Sequence, residues 1–404
     1  MQKENLRIVH CADFHIDSPF KFLNSKKRYK AIKAQLNSFD KTVKIAKQSE
    51  AHFITIAGDL FDSFKPDETD VRIVIQAIQK APEIKFIINP GNSDYWHINS
   101  FWLEISKQKN VYLFDLETLF FTFPEWNLTF WGKPFLSHSS LTNLWQEADE
   151  LIFAKKRNQM NILVQHADLF DLDSNYNPIS PEWIDKLGFD LVLLGHIHNV
   201  NEIYYTKREI PCLYSGCAQA SSFDETGVKG VYFIKINKNN FKEIKFNFVP
   251  IQALLFEEIT VDVSQIDTSS EIDFLDHIER AIIKAKDSNQ ANLEFYRIIL
   301  VGHSLKKIDL AFLQQNLDLD CFYFEIIDRT RVKFDLQHLV KEQSLNGDIS
   351  RYAKKLATQP DLLSDVLKKL ELEDLPMQEA MEMLDQAYYY TILAKEQDID
   401  VYED

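Results

Sequence analysis

The stretch His52-Phe53-Ile54-Thr55-Ile56-Ala57-Gly58-Asp59-Leu60-Phe61-Asp62 runs an apolar, partly β-branched segment straight into a Gly-Asp turn carrying two carboxylates. Such a run reads as a strand in a sheet interior, where both faces are packed. Gly58 permits a sharp exit and leaves Asp59 at the strand's carboxyl end, where open α/β sheets hold their ligands. Taken alone, a Gly-Asp turn is equally an ordinary turn or a helix cap. The rest of the chain decides between these readings.

Upstream, Leu6 to Cys11 reads as a first strand and delivers Asp13-Phe14-His15 just past its end. Side chains at i and i+2 of extended chain point the same way, so Asp13 and His15 can converge on one cation. A helix to about Gln48 precedes the Asp59 strand, and a Pro-Asp-Glu start at Pro66 opens another running to about Lys80. Downstream, Lys85 to Asn89 is a strand that exits through Pro90-Gly91-Asn92-Ser93-Asp94. Short strands follow near Val111 to Phe114 and Leu128 to Gly132, then a helix from about Leu141 to Lys156. Two more apolar strands, Asn161 to Gln165 and Asp190 to Leu194, are closed by His166 and by Gly195-His196-Ile197-His198. This is βαβ alternation with polar clusters at five strand ends.

Oxygen and imidazole groups gathered from adjacent strand ends describe a dinuclear metal site. A shared aspartate neutralises two cations about 3.5 to 4 Å apart, and such a pair clamps the attacking and leaving oxygens of a phosphoester. One ion also lowers the pKa of its water. Donors without thiolate, with an Asn carbonyl among them, favour manganese-like ions, with iron and zinc as the alternatives that ligand type leaves open.

The 404 residues are long for one domain and predict two or three units. No N-terminal signal pattern and no apolar run of membrane-spanning length is present, which predicts a cytoplasmic protein with no membrane association. Cys11, Cys212, Cys217 and Cys321 lack Cys-x-x-Cys pairing and read as small core residues rather than a zinc ribbon or disulfide framework. With 45 basic against 61 acidic residues the formal charge is −16, so any hold on nucleic acid must be local or shared. Lys26-Lys27-Arg28 with Lys30 and Lys33, and Lys155-Lys156-Arg157, are either that local supply or solvated helix faces.

Asp13-x-His15, Gly58-Asp59-x-x-Asp62, Gly91-Asn92-x-Asp94, His166 and Gly195-His196-x-His198 together resemble the five blocks of the calcineurin-like metallophosphoesterases. Within that superfamily the chain looks like the SbcD-type DNA-repair nucleases, nearest the YhaO-like bacterial branch. The supporting stretches are Tyr214-Ser215-Gly216-Cys217-Ala218-Gln219, Phe223-Asp224-Glu225 and Lys229-Gly230-Val231-Tyr232. The resemblance implies an α/β fold, a sandwich of two β-sheets flanked by helices, with a small α/β cap and a helical C-terminal segment. It implies domains over 1–252, 253–342 and 343–404. It puts Asp13, His15, Asp59 and His198 on one metal and Asp59, Asn92, His166 and His196 on the other.

One position departs from the family pattern. Where the family carries Gly-Asn-His-Asp, this chain has Gly91-Asn92-Ser93-Asp94. The resemblance makes that histidine, held by the residue matching Asp62, the group that protonates the leaving oxygen or stabilises the pentacovalent phosphorus. Serine has no proton to give near neutral pH, so the rate is expected to fall by about 10² to 10⁴ while metal binding survives. His10 and His97 lie near enough in sequence to be weighed as substitutes, although each reads more simply as a supporting or surface histidine.

The cap is predicted from a strand at Leu255 to Val263, a helix from Glu271 to Lys286, a strand at Tyr296 to Val301, a helix near Asp309 to Gln315 and a strand at Phe322 to Asp328. Within it, His303 and Arg329-Thr330-Arg331 have an option on phosphate. From Ser344 the chain is helical, with stripes at Leu362, Val366 and Leu370 and at Met377, Met381, Leu384 and Tyr388. The stripes suit packing onto the cap. By resemblance they also suit docking on an SbcC-like SMC-type ATPase. The function expected is a manganese-dependent DNA exonuclease and endonuclease subunit, weak or inactive because of Ser93, acting with DNA and the ATPase and forming a homodimer as the resembled group does. The alternatives are a non-catalytic metal- and DNA-binding scaffold, or a phosphatase or phosphodiesterase of the same superfamily.

Overall fold

The computed structural model describes residues 5–145, 159–199, 202–264, 266, 271–285, 293–304, 308–332, 339–341, 343–373 and 375–397. The chain forms two units, one made of Met1–Val261, Ile278–Ile299 and Ala311–Ile327, the other of Asp262–His277, Leu300–Leu310 and Asp328–Asp404.

In the first unit the chain alternates β1 (Asn5–Cys11), α1 (Ser25–Gln48), β2 (Phe53–Ala57), α2 (Glu68–Gln79), β3 (Lys85–Asn89), α3 (Trp102–Ser106) and β4 (Val111–Leu113). A second run gives β5 (Phe120–Phe123), β6 (Leu128–Trp131), β7 (Met160–His166), α4 (Pro181–Leu187), β8 (Leu191–Gly195), β9 (Tyr204–Tyr205) and β10 (Pro211–Tyr214). The chain then returns through β11 (Gly230–Asn237) and β12 (Asn240–Pro250) to the first sheet. The sheet orders are β12-β11-β1-β2-β3-β4 and β5-β6-β7-β8-β10-β9.

The reason the two sheets face each other is legible in each strand's alternation. Phe53 and Ala57 of β2, Leu6 and Ile8 of β1, Ile162 and Val164 of β7, and Leu191 and Leu193 of β8 share one buried cluster between the sheets. The intervening Ile54, Ile56, Val9 and Cys11 turn outward into a second cluster with α1 and α2, while Leu163, Val192 and Leu194 pack with Ile184 and Leu187 of α4. Strands apolar on both faces therefore generate four layers, helix, sheet, sheet and helix. Strands β1, β2 and β3 run parallel, as do β6, β7, β8 and β10. Parallel pairing gathers their carboxyl ends, so the polar clusters read from the sequence fall at one end of the sandwich.

His10 crosses the layer between the sheets. Its Nδ1 lies 3.1 Å from Thr55 Oγ1 and its Nε2 donates to the Leu194 carbonyl at 3.1 Å. Both nitrogens are engaged in the core, so it cannot serve as a substitute acid. Burial lowers its pKa from 6.5 to about 4. The folded value lies below the unfolded one, so the stability of the neutral form is complete above pH 6.5 and is lost as pH falls towards 4. The full difference is about 3 kcal/mol. Urea unfolding of the unaltered chain at pH 7.5 and pH 5 should therefore show a loss about 2 kcal/mol larger than that of His10→Asn.

After β12 come β13 (Leu254–Asp262), α5 (Glu271–Ala285), β14 (Leu293–Val301), β15 (His303–Ser304), α6 (Leu310–Asn316), β16 (Tyr323–Asp328) and β17 (Arg331–Val332). The order β13-β14-β16 makes a three-stranded sheet. Phe256 and Phe295 from it pack with Phe20, Leu23, Ala31 and Ala34 around the start of α1. In the second unit β15 pairs with β17 through His303 and Arg331, and the Arg331 guanidinium sits 5.9 Å from the Tyr389 ring.

The C-terminal helices are α7 (Leu345–Thr358), α8 (Pro360–Lys369) and α9 (Met377–Gln397). Their buried contacts are Leu363, Leu367 and Ala380, with Met381 and Leu384 partly buried beside them. The expected stripe is thus shifted by one residue, and Leu370, assigned to it, is exposed. Leu362 and Val366, the other two residues of that stripe, are half-buried beside Leu363 and Leu367. Helix α2 begins at Glu68 rather than Pro66, because Asp67 caps it by accepting from the Thr69 amide at 2.7 Å. Of the helix expected over Leu141 to Lys156, residues 141–145 are bend and turn, and the remainder, with Lys155-Lys156-Arg157, lies outside the described residues.

Candidate metal centre

Two loops build the first half of the site by bonding to each other. The Asp13 amide donates to the Gly58 carbonyl at 3.1 Å, the His15 amide to Asp59 at 3.1 Å, and the Ile16 amide to Leu60 at 3.0 Å. This pairing holds Asp13, His15 and Asp59 at φ values of 50°, 45° and 49°, and His196 stands at 102°. Left-handed backbone at non-glycine residues costs about 1 to 3 kcal/mol each and persists only where neighbours over-determine it. Here that strain coincides with the motif residues. Two glycines make room for them. A Cβ on Gly58, itself at φ 93°, would lie 2.3 Å from His166 Nδ1, and one on Gly91 would lie 2.1 Å from Asp59 Oδ1.

Each imidazole that points into the site is gripped from behind. His15 Nδ1 donates to Asp62 Oδ1 at 3.0 Å, His198 Nδ1 donates to Glu225, and His166 Nδ1 donates to the Ala57 carbonyl at 2.9 Å. Those bonds leave the three Nε2 lone pairs facing inward. His15 Nε2 and His198 Nε2 then face each other at 3.2 Å, and His166 Nε2 faces the Asn92 Oδ1 at 2.8 Å. In both places two groups able to present a lone pair meet, an arrangement that a shared proton or a metal ion would bridge. Asp59 lies between the two pairs, its Oδ2 at 3.6 Å from His15 Nε2 and 3.7 Å from His166 Nε2. Asp13 is fully buried, with Oδ1 4.0 Å from His198 Nε2 and 3.8 Å from His166 Nδ1.

Ligand-sized groups form around Asp13, His15 and His198 and around Asp13, Asp59 and His166. The expected ligands are thus gathered at one place, with two differences: Asp13, rather than Asp59, is common to the two groups, and His196 belongs to neither. The His196 ring stands beside that of His166 at 5.1 Å and against Tyr176 at 4.7 Å, while its backbone amide donates to both Asp13 oxygens at 3.2 and 3.0 Å. His97 is exposed and accepts from the Asn99 amide at 3.1 Å.

The electrostatics state the same need for cations. Burial alone would lower His15, but the bond to Asp62 and the charges of Asp59, Asp13 and Asp62 override it and raise its pKa to about 10. His198 is also raised: burial opposes this, but the Glu225 bond and the Asp13 charge prevail. Burial pushes Asp13 up. Burial also opposes ionisation of Asp59, but His166, His15 and the two Ser93 bonds prevail and lower it. Burial, then the charge of His166, holds His196 down at about 3, so it stays neutral. A site that draws protons onto imidazoles held by carboxylates fits divalent ions. All its donors are oxygen and imidazole nitrogen, as such ions require.

Position 93 is directly engaged. The Ser93 hydroxyl donates to Asp59 Oδ2 at 2.8 Å and its amide to Asp59 Oδ1 at 2.9 Å. Several supports carry no signal in the linear motifs. Gln35 of α1 donates to the His15 carbonyl at 2.6 Å, and Asn177 to the His166 carbonyl at 2.9 Å. Glu225 falls in the Phe223-Asp224-Glu225 stretch, which marks the family without marking the residue. Asp94 is fully buried and accepts from the Phe61 and Gly91 amides at 3.1 and 2.8 Å, tying the two loops together. Burial and the Asp59 charge raise its pKa to about 7.

Residues 6–200 match the family model described as calcineurin-like phosphoesterase. The uncharacterized metallophosphoesterase YhaO of Bacillus subtilis is 25% identical over 276 residues, covering 65% of this chain and 64% of that protein. The SbcD subunit of the nuclease SbcCD of Staphylococcus epidermidis is 23% identical over 401 residues, covering 90% of this chain and 98% of that one. Among solved structures, TT1561 of Thermus thermophilus aligns with TM-score 0.38 and 12% identity over 60% of this chain and 98% of its own. A dimetal phosphatase from Danio rerio aligns with TM-score 0.39 and 9% identity over 61% and 98%. Among the described residues no helix is long and apolar enough to cross a membrane. Two facing sheets whose strand ends gather the five motifs, and a family match running through all of them, make residues 6–200 a calcineurin-like metallophosphoesterase domain with homologues among YhaO-like metallophosphoesterases and SbcD nuclease subunits.

Proposed function

We propose that this chain is a two-metal phosphodiesterase that acts on DNA in repair, with Ser93 slowing the chemistry. The observation that carries the reading is Asp59, whose Oδ2 lies 3.6 and 3.7 Å from the inward nitrogens of two separate ligand pairs. Asp13, His15, Asp59 and His198 hold one ion; Asp59, Asn92, His166 and His196 hold the other. The hard oxygen and imidazole donors favour manganese. Bound ions supply a nucleophile from water at neutral pH and charge on the leaving oxygen. The chain's own part is orientation: Asp62 and Glu225 fix the tautomers of His15 and His198, and Asp59 stays ionised between the pairs. Ser93 adds no acid.

DNA as substrate is supported by the match to the SbcD nuclease subunit, which spans 98% of that protein. The charge of −16 supports a partner that brings basic surface. An SbcC-like ATPase fits that role, with residues 343–404 as its docking segment, residues 253–342 as the cap, residues 1–252 as the nuclease domain and a homodimer as the working form. The test is nucleotide release from linear DNA in Mn²⁺, with and without chelator, beside a small chromogenic phosphodiester. Slow, chelator-sensitive release from DNA is expected. Cleavage of the small ester alone would favour a small-molecule phosphodiesterase, and metal binding without any cleavage would favour a scaffold.

Glu225 gives a further check. Because it holds the His198 tautomer, Glu225→Ala should weaken Mn²⁺ binding about 10- to 100-fold, and Glu225→Gln, which still accepts from Nδ1, should lose less. Calorimetric titration with Mn²⁺ measures both.

A further inference from the structure

Three aromatic rings stand at the rim of the centre without belonging to it. Phe64 and Tyr95 stack with centroids 5.3 Å apart and planes 17° from parallel. The His138 ring meets both edge-on, at 5.9 Å from Phe64 and 4.9 Å from Tyr95. Two of them are carried by loops that also carry the centre. Phe64 follows Asp62 by two residues, and Tyr95 follows Ser93 by two. The His138 loop is tied in by the Trp96 amide, which donates to the Phe135 carbonyl at 2.8 Å, and by the Phe135 ring, 5.6 Å from that of His166.

Rings that served only to pin these loops together would be expected in the interior. Phe61 does this, being fully buried against Phe101 at 4.8 Å and Trp102 at 6.3 Å. Phe64 and Tyr95 are only half-buried and His138 is exposed. Among the described residues the Tyr95 hydroxyl has no hydrogen-bond partner. Lys65 is exposed, lies 5.1 Å over the Phe64 ring, and has no carboxylate partner among the described residues. A ring stack left partly open to solvent, beside an ammonium with no carboxylate partner among the described residues, presents the two groups that a nucleotide uses: a surface for a base and a charge for a phosphate.

We infer that Phe64, Tyr95 and His138, with Lys65, form a nucleobase-stacking subsite that seats an unpaired base of a single-stranded nucleic acid next to the reacting phosphate. The inference rests on the phosphodiesterase reading above and adds to it the strandedness of the substrate at the site. A base inside a duplex has both faces covered by its neighbours, so a single strand or a strand end is the species held.

The test compares two phosphorothioate oligodeoxynucleotides of one length, one with bases and one abasic, bound to the full chain in Mn²⁺ and read by fluorescence anisotropy. Stacking by one base changes affinity by roughly 5- to 150-fold, so the unaltered chain should prefer the base-bearing strand by about tenfold or more. Tyr95→Leu and Phe64→Leu keep apolar bulk but lack a π-face. Each should erase the preference while leaving abasic binding and manganese content unchanged, and Tyr95→Phe should retain it. Equal binding of the two strands by the unaltered chain overturns the subsite and leaves the phosphodiesterase reading standing. A uniform loss for both strands in Tyr95→Leu also overturns it. Binding of neither strand by the manganese-loaded chain overturns the nucleic-acid reading and the subsite with it.

Discussion

Ser93→His is expected to raise the rate of phosphodiester hydrolysis by about 10² to 10⁴. Ser93 now spends its hydroxyl proton on Asp59 Oδ2 at 2.8 Å, and its amide holds Asp59 Oδ1 at 2.9 Å. An imidazole at this position keeps the amide bond, so Asp59 remains anchored. The change adds a group that titrates in the working range, with an unperturbed pKa near 6.5. The diagnostic is therefore the pH–rate profile as well as the size of the gain. The variant should acquire a limb, falling as pH rises, that the unaltered chain lacks, at equal manganese content. A variant with both ions bound and no rate gain would show that position 93 does not limit the chemistry.

Asp59→Asn should act in the opposite direction and on both ions together. Its carboxylate is buried between the two pairs, so neutralising it removes charge that both ions need. Bound manganese is expected to fall from two ions per chain to one or none, and hydrolysis in the Ser93→His background by more than about 10³-fold. The backbone should tolerate the change, because asparagine accepts the left-handed conformation that Asp59 adopts at φ 49°. Thermal unfolding separates the effects. Without metal, losing the carboxylate charge that His166, His15 and Ser93 stabilise should lower the midpoint. The stabilisation that saturating Mn²⁺ gives the unaltered chain, about 2.7 kcal/mol per site at a hundred times Kd, should be reduced or absent.

What could be read from the residues was set by how local the signal was. Strands such as Phe53–Ala57 and Lys85–Asn89 announce themselves because both faces are buried, so their central positions are mostly apolar. Phe120–Phe123 did not, since as an edge strand it leaves Phe120 exposed and alternates weakly. Pro181–Leu187 is only seven residues long, too short for a helical period to stand out, although Ser180 and Pro181 are a start signal. The inward motif residues were legible because each follows its strand directly. Glu225, Gln35 and Asn177 were not: each reaches the site across the fold, from 27, 20 and 11 residues away from the residue it supports. The left-handed backbone at Asp13, His15 and Asp59 was also hidden, because it arises from pairing between two loops and not from either loop's composition.

Soaking crystals of the unaltered chain in Mn²⁺ and mapping anomalous scattering shows whether two ions share Asp59. Two peaks about 3.5 to 4 Å apart are expected, one among Asp13, His15 and His198, the other beside Asn92 and His166, with Asp59 between them. A single peak, or two that Asp59 does not touch, would contradict the Asp59-bridged centre.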